Sequence, residues 1–225
     1  MDALIFDFDG VVVDSEPIHL MGFQRVLAGA GLTLTEKDYY EKYLGYDDHD
    51  AILIAGRDQG VAFDEARIAE LTAAKSRIVQ QAFAESIPAL PGAVELIAAA
   101  HQACIPVGVC SGALREEVEL AATTVGVRGH FLDIVAAKDV RRGKPDPEGY
   151  VLALERLRAA TGRTIRSQKS LAVEDSPAGI AAARGAGMKV LAVATSYRPD
   201  QLRQADRTVR RLSEVTLPEL EALVR

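Results

Sequence analysis

Two pairs of carboxylates stand out in the sequence because each pair directly follows a short apolar run. Asp7 and Asp9 follow the first of these runs, and Glu174 and Asp175 follow a later one. Two carboxylates about 4 Å apart repel each other by about 4 kcal/mol at an effective dielectric constant near 20. A protein that keeps such pairs uses them to bind a cation or to transfer protons. If all four carboxylates meet at one sheet edge, they require a divalent cation, and their hard oxygen ligands favour magnesium.

Each pair also has a purely structural interpretation. Asp9-Gly10 between two apolar runs is typical of a hairpin turn. Ser176-Pro177, behind the second pair, is typical of the first residues of a helix. The helix start accounts for the serine and the proline but leaves the two acids before them without a structural role.

Anion-binding chemistry is predicted at two further positions. Ser111-Gly112 follows an apolar run and is predicted to open a helix, where a hydroxyl and free backbone amides bind anions. Lys144 stands in a stiff, turn-rich segment before another predicted helix. Taken alone, a helix-capping serine and a solvated loop lysine are the simpler interpretations. Together with magnesium, however, these groups would neutralise and orient a phosphate monoester beside an aspartate nucleophile.

These residues need a scaffold of alternating strands and helices. Short apolar runs without clean alternation are typical of strands that are covered on both faces. With helical patterns between them, they predict an α/β fold: a Rossmann-like parallel sheet core flanked by helices, with ligands at the carboxyl ends of the strands. The predicted strands are Ala3–Phe6, Ile105–Cys110, Phe131–Ala136, Leu171–Val173 and Val190–Ala194, and the predicted helices are Val94–Ala103, Arg115–Thr124, Pro147–Ala160 and Ala178–Arg184.

One long stretch, from about residue 18 to residue 83, breaks this alternation because it has helical periodicity and no convincing strand. It ends before a proline-rich, hinge-like segment at residues 88–92. We therefore predict an all-helical domain at 16–88 inserted into an α/β catalytic core formed by 1–15 and 89–225. The predicted helices of the inserted domain are Pro17–Ala30, Glu36–Leu44, Asp48–Gln59 and Asp64–Phe83.

Composition limits the classes of function. The chain has 225 residues, of which 48% are hydrophobic and 26% are charged, so it can bury a full core without metal or disulfide support. A formal net charge of −6 makes nucleic acids and anionic membranes poor partners. No apolar stretch approaches the ~20 residues of a membrane span. The first residues are acidic where a signal peptide is basic, so we expect a cytoplasmic protein, a monomer or a weak dimer.

Two other features have simple structural interpretations. Cys110 ends an apolar run, which favours a buried thiol over a nucleophile. The arginine-rich segment from Arg203 to Arg211 is interpreted as a solvated face.

The order of the four motifs resembles that of the haloacid dehalogenase-like hydrolase superfamily. Two further segments, 14–17 and 174–180, are similar to its β-phosphoglucomutase/phosphoglycolate phosphatase-like branch. The resemblance covers nearly the whole chain, and the helical insertion takes the position of the family's cap domain. The four motifs are Asp7-Phe8-Asp9-Gly10, Ser111, Lys144-Pro145-Asp146 and Glu174-Asp175-Ser176.

The resemblance implies a role for each motif. Asp7 would be the nucleophile that forms an aspartyl-phosphate, and Asp9 would be the general acid and then the base that activates water. Magnesium would be bound by Asp7, Asp175 and the backbone carbonyl of Asp9, with Glu174 nearby. The acid at position 9 separates this sequence from the true dehalogenases. The phosphoryl oxygens would be held by Ser111, Gly112 and Lys144.

Substrate selection is expected to lie in the cap, which closes over the site in this branch. The resemblance points to Glu16, His19, Tyr46 and Lys75 as substrate-facing residues, although a solvated helix lysine is an equally good interpretation of Lys75. Asp48 stands where a phosphoglucomutase carries an arginine for a second phosphate. The acids of the 45–50 loop would repel a bisphosphate, which favours a phosphatase over a mutase.

The sequence therefore predicts a magnesium-dependent phosphatase that acts on a small phosphorylated metabolite, of the sugar or polyol phosphate class. One alternative is a hexose-phosphate mutase of the β-phosphoglucomutase type. The other is a catalytically silent sensor of phosphorylated ligands, which the presence of all four motifs disfavours.

Overall fold

The computed structural model describes residues 1–44 and 46–225, so Gly45 of the 45–50 loop lies outside the described residues. The described chain divides into two compact units. One unit combines Met1–Asp14 with Ile87–Arg225, and the other is Ser15–Ser86.

The first unit is built on a single parallel sheet. Six described strands lie in the order β3-β2-β1-β4-β5-β6, and every adjacent pair is parallel. The chain therefore leaves β1 on one side for β2 and returns on its other side as β4, which makes a topological switch point where such sheets bind ligands. The strands are β1 (Ala3–Phe6), β2 (Val107–Cys110), β3 (Asp133–Val135), β4 (Ser170–Glu174), β5 (Lys189–Val193) and β6 (Arg207–Val209).

The second unit consists of helices around their own apolar core. Phe23, Leu27, Ile52 and Ile68 are among its buried residues. The side chains of Asp47 and Asp64 cap two of the helices, each by accepting a backbone amide of the first helical turn. The predicted helix at residues 36–44 is divided into a short α-helix and a π-helix, Tyr39–Tyr43. The α-helices are α1 (Glu16–Gly29), α2 (Glu36–Asp38), α3 (Asp48–Asp58) and α4 (Glu65–Glu85).

The sheet of the first unit is covered by helices on both faces, so its central strands are fully buried, as the unbroken apolar runs predict. Ser176 caps a helix by accepting the amide of Gly179, and Pro177 is the first residue of that helix. The helices are α5 (Ala93–Gln102), α6 (Arg115–Thr124), α7 (Glu148–Thr161), α8 (Pro177–Gly185) and α9 (Leu217–Leu223).

The two chain segments that lead out of the sheet unit and back into it are tied together. The amide of Asp14 donates to the carbonyl of Pro88 at 2.9 Å. The amide of Leu90 donates to the carbonyl of Val12, also at 2.9 Å. An antiparallel bridge joins Val13 to Ala89 between these two hydrogen bonds.

Two local interpretations are wrong. The hairpin interpretation of Asp9-Gly10 fails because the amides of residues 11–13 donate to the carbonyl of Phe8, while β1 pairs with β2 and β4. Ser111-Gly112 does not open a helix, since α6 begins at Arg115 after a short loop. The arginine-rich segment is largely exposed, as interpreted, and it also contains the edge strand β6, which was not predicted.

No helix in the described ranges 1–44 and 46–225 combines the length and the apolar character that a membrane crossing requires.

Candidate active site

The ends of β1 and β4 bring three distant carboxylates together. Phe6 lies opposite Val173 in the sheet, and the amide of Asp7 donates to the Val173 carbonyl at 2.9 Å. Asp7 therefore leaves the sheet beside Glu174 and Asp175. One oxygen from each of these three buried carboxylates lies within 4.8 Å of the others. The predicted meeting of the two acidic motifs at one sheet edge is found in the structure.

Lys144 supplies positive charge to this group. Its Nζ lies 2.9 Å from Oδ1 of Asp7 and 2.6 Å from Oε1 of Glu174. The same ammonium group lies 5.5 Å from the centre of the Tyr150 ring, on its face. Only 16% of the Lys144 side chain is exposed, so the simpler interpretation of a solvated loop lysine is wrong.

Several hydrogen bonds and an ion pair hold the Glu174 carboxylate in place. Its Oε1 accepts the hydroxyl of Tyr150 at 2.7 Å, in addition to Lys144. Its Oε2 accepts the Ser176 hydroxyl and the Asp175 amide, both at 3.3 Å. Glu174 has no exposed surface. A Cβ at Gly179 would overlap its carboxylate, so only glycine fits there at the start of α8.

Burial and mutual repulsion shift the titration of these groups. Burial, together with the neighbouring Glu174, raises the pKa of Asp7 to about 7, although Lys144 opposes the shift. Burial and the charge of Asp7 also raise the pKa of Asp175. Burial acts to lower the pKa of Lys144, but the two carboxylates it contacts outweigh this and raise it. Negative charge is therefore in excess of what Lys144 compensates.

The donor set suits a hard divalent cation. Asp7, Glu174 and Asp175 offer carboxylate oxygens from a buried, rigid position, and magnesium prefers such ligands. Gly10 passes close to them: its φ is +71°, and a Cβ at this position would overlap Asp175. The chain can therefore approach the carboxylates closely only because residue 10 is glycine. The contribution of the Asp9 backbone carbonyl stays a prediction.

The second acid of the first motif lies next to the predicted phosphate-binding serine. The hydroxyl of Ser111 lies 3.4 Å from Oδ2 of the half-buried Asp9, and it accepts the amide of Ala113 at 3.0 Å. Gly112 is exposed in the same loop. The loop thus connects the predicted general acid with backbone amides that could face an anion.

Two polar residues near the carboxylates were not predicted. Tyr150 is fully buried and contacts both Glu174 and Lys144. Ser196 follows β5, and its hydroxyl hydrogen-bonds Asp175. The position of Ser196 behind an apolar run, like that of the acids, is a signal that could have revealed it. Cys110 is buried as predicted, and burial raises the pKa of its thiol to about 12.

The helical unit contains a separate cluster around Lys75. This lysine is buried, so the alternative of a solvated helix lysine is wrong. Its Nζ lies 2.5 Å from Oδ1 of Asp48 and 2.9 Å from Nδ1 of His19. The ring of Phe23 lies 4.5 Å from the same ammonium group. Two of the residues expected to face the substrate, Lys75 and His19, are thus in direct contact.

The other residues predicted to face the substrate lie elsewhere in the helical unit. Glu16 begins α1, and its carboxylate accepts the hydroxyl of Tyr39 at 2.6 Å. Tyr46 is half exposed. The acids of the neighbouring loop have partners, since Asp47 caps α3 and Asp48 pairs with Lys75. Their expected repulsion of a bisphosphate is therefore weaker than their number suggests.

Comparison with known proteins places these motifs in context. The model of the haloacid dehalogenase-like hydrolase family matches residues 4–193. The chain is 31% identical to protein CbbY of Rhodobacter capsulatus, covering 98% of this chain and 99% of the relative. It is 29% identical to validoxylamine A 7'-phosphate phosphatase of Streptomyces hygroscopicus subsp. limoneus, covering 96% of each chain.

A solved structure is similar throughout. A mutant of CbbY from Rhodobacter sphaeroides in complex with xylulose-(1,5)bisphosphate has a TM-score of 0.84 and 28% identity. The match covers 95% of this chain and 96% of the CbbY chain.

Proposed function

Because this chain belongs to the haloacid dehalogenase-like hydrolase family and is a phosphoric monoester hydrolase, we propose that it dephosphorylates a small sugar or polyol phosphate with bound magnesium. The proposed route passes through an aspartyl-phosphate on Asp7. The observation that carries the proposal is the buried Asp7 carboxylate at the sheet's switch point, paired with Lys144 and beside two further carboxylates.

Substrate binding would depend on charge. A phosphate dianion could not approach three carboxylates without compensation, and Lys144 provides an ammonium group directly beside Asp7. Bound magnesium, held by Asp7 and Asp175 with Glu174 nearby, would supply further positive charge to the phosphoryl oxygens. Ser111 and the backbone amide of Gly112 would orient the oxygens on the side of Asp9.

Two displacements at phosphorus would complete the reaction. In the first, an Asp7 oxygen attacks phosphorus, the bond to the sugar oxygen breaks, and Asp9 donates a proton to the leaving oxygen. In the second, Asp9 accepts a proton from water as the water oxygen attacks phosphorus. The bond between phosphorus and Asp7 then breaks and releases inorganic phosphate. Asp9 is half-buried beside the Ser111 hydroxyl, which supports a defined position for this proton transfer.

The substrate class is supported by the relatives. One is named for its action on validoxylamine A 7'-phosphate, and a solved structure of another holds xylulose-(1,5)bisphosphate, a sugar phosphate. A metabolite of this kind also fits the proposed cytoplasmic location. The proposed state in solution is a monomer or a weak dimer.

A mutase needs positive charge to hold a second phosphate. In the helical unit, Asp48 already compensates the charge of Lys75 at 2.5 Å, which supports the phosphatase over the hexose-phosphate mutase. A bisphosphate activator separates the two: a mutase would then yield isomerised sugar phosphate, and a phosphatase yields free phosphate.

The deciding experiment is a panel of sugar and polyol phosphates, assayed for released phosphate with magnesium and with a chelator. We expect hydrolysis that stops when the metal is removed. Acid quenching during turnover, followed by borohydride reduction, should convert residue 7 to homoserine, which mass spectrometry of the peptide detects. Hydrolysis without metal, or turnover without modification of Asp7, would contradict the proposed mechanism. Binding of phosphorylated ligands without any hydrolysis would favour the sensor.

A further inference from the structure

The hydroxyl of Tyr150 is unusual for its position in the fold. Tyr150 lies in the first turn of α7, has no exposed surface, and packs in the apolar core under the sheet. A phenylalanine would fill the same space and bury one polar atom fewer. The hydroxyl donates instead to Oε1 of the buried Glu174 at 2.7 Å. Its role is therefore to be sought at that carboxylate.

The same carboxylate oxygen of Glu174 competes with Asp7 for the ammonium group of Lys144. Oε1 of Glu174 accepts both the Tyr150 hydroxyl and Nζ of Lys144, the latter at 2.6 Å. Nζ also contacts Oδ1 of Asp7 at the longer distance of 2.9 Å. An oxygen that already accepts one strong hydrogen bond attracts a second donor less. Without the hydroxyl, Glu174 would draw the ammonium group away from Asp7.

We propose that the Tyr150 hydroxyl is a positioning group that, by donating to Glu174, keeps the Lys144 ammonium shared with Asp7 and available to a phosphoryl oxygen. This inference rests on the proposed function, because it places the phosphate beside Asp7 and Lys144. Tyr150 itself does not touch the substrate. It acts through the carboxylate that it contacts.

The test is the affinity for inorganic phosphate, measured by titration calorimetry on the full chain at saturating magnesium. Tyr150→Phe keeps the ring and removes only the hydroxyl. We expect its phosphate Kd to rise about tenfold and its kcat to fall by a similar factor, as for loss of one hydrogen bond to a charged group. Tyr43→Phe is the matched control, since it removes a buried tyrosine's hydrogen bond to Asp58 in the helical unit. Its phosphate Kd should stay within about twofold of the wild type.

A second background shows whether the hydroxyl acts through Glu174. In Glu174→Gln, where the oxygen no longer carries a full charge, adding Tyr150→Phe should change the phosphate Kd by less than about twofold. In the double variant residue 174 is an uncharged amide, so loss of the Tyr150 hydroxyl does not leave a buried charge with one donor fewer. Its comparison with Glu174→Gln therefore tests the inference even if Tyr150→Phe alone folds poorly. An equal loss of affinity in both backgrounds overturns the inference.

The remaining outcomes separate the two proposals. If the wild type binds phosphate and Tyr150→Phe binds it equally well, the positioning role is wrong and the proposed function stands. If the wild type neither binds phosphate with magnesium nor hydrolyses any phosphomonoester, the proposed function fails, and the positioning role fails with it.

Discussion

Lys144 and Lys75 are both largely shielded from water, one in each unit, yet their surroundings differ in charge. Lys144 contacts the carboxylates of Asp7 and Glu174, with Asp175 close behind. The side chain of Lys75 is 3% exposed and contacts one carboxylate, Asp48, together with an imidazole and an aromatic ring.

The difference separates a compensated ion pair from a site that still requires charge. An ammonium group that faces one carboxylate and neutral groups is balanced. An ammonium group among several buried carboxylates leaves negative charge in excess, and burial makes that excess costly. This cost raises the pKa of Asp7 to about 7. A bound cation would therefore offset excess negative charge in the cluster around Lys144, whereas the cluster around Lys75 has no such excess.

The largest expected effect comes from Asp7, the partner of Lys144. Asp7→Asn keeps the shape of the side chain and removes the proposed nucleophile, so phosphate release should fall by about 10⁴-fold or more. The variant should fold, because it also relieves repulsion among buried carboxylates; thermal unfolding checks this. Wild-type turnover in a folded Asp7→Asn protein would refute the assignment of the nucleophile.

Removal of Lys144 should have the next largest effect. Lys144→Met leaves Asp7 beside uncompensated carboxylates and takes away the charge that, in the proposed function, compensates the phosphate. We expect kcat/KM to fall about 10²- to 10³-fold, as for loss of one electrostatic contact to a transition state. The exposed Lys138→Met is the control and should keep wild-type kcat/KM. A fall of less than about threefold would show that Lys144 only balances buried charge.

The excess charge also predicts a dependence of metal stabilisation on pH. The pKa of Asp7 is about 7 in the folded protein and 3.8 for the unperturbed group. Between these pH values the folded state holds more protons than the unfolded state, so this group lowers the stability of the metal-free protein as the pH rises. Magnesium requires deprotonated ligands and should raise the Tm more at about pH 8 than at about pH 5.5.

Thermal unfolding with and without magnesium measures the effect. In Asp7→Asn the residue at position 7 no longer titrates, so this part of the pH dependence should shrink. An increase in Tm that is the same at both pH values would speak against magnesium binding to Asp7.

The smallest effects are expected around Lys75. Asp48→Asn removes the counter-ion of a buried ammonium group, which should lower the free energy of unfolding by about 2 kcal/mol. Lys75→Met should cost about 1 kcal/mol, because the remaining carboxylate is 30% exposed and can be hydrated. Urea unfolding measures both. A larger loss for Lys75→Met than for Asp48→Asn would reverse this interpretation of the ion pair.

Most of the fold could be predicted because the central strands are buried on both faces and their sequences are correspondingly apolar. The strand at residues 3–6 and the helix at residues 115–124 have the predicted bounds. Strand β6 was missed for the opposite reason. It is a short edge strand in which only Val209 is buried, and the arginines in and around it resemble those of a surface loop.

The carboxylates could be predicted as parts of a site because they lie at strand ends, where the topology of a parallel sheet brings residues together. Lys144 lies beyond the end of β3, in the turn-rich segment before α7 from which its role was predicted. Tyr150 could not be predicted, since an aromatic residue at a helical position usually belongs to the core, and only the distance to Glu174 reveals its second role. The burial of Lys75 was equally hidden. Its counter-ion, Asp48, lies 27 residues earlier in the chain, beyond any local pattern.

The hydrogen bonds between residues 12–14 and 88–90 have a consequence for how this architecture can diversify. They join the two chain segments that flank the 72-residue insertion, Ser15–Ser86, and both segments belong to the sheet unit. Closing so long a loop costs only slightly more entropy than closing a shorter one. A different module could therefore be grafted between these two tethers without disturbing the strands that carry Asp7 and Glu174. Substrate selection, which we expect to lie in the helical unit, could then change in evolution without altering the residues at the sheet edge.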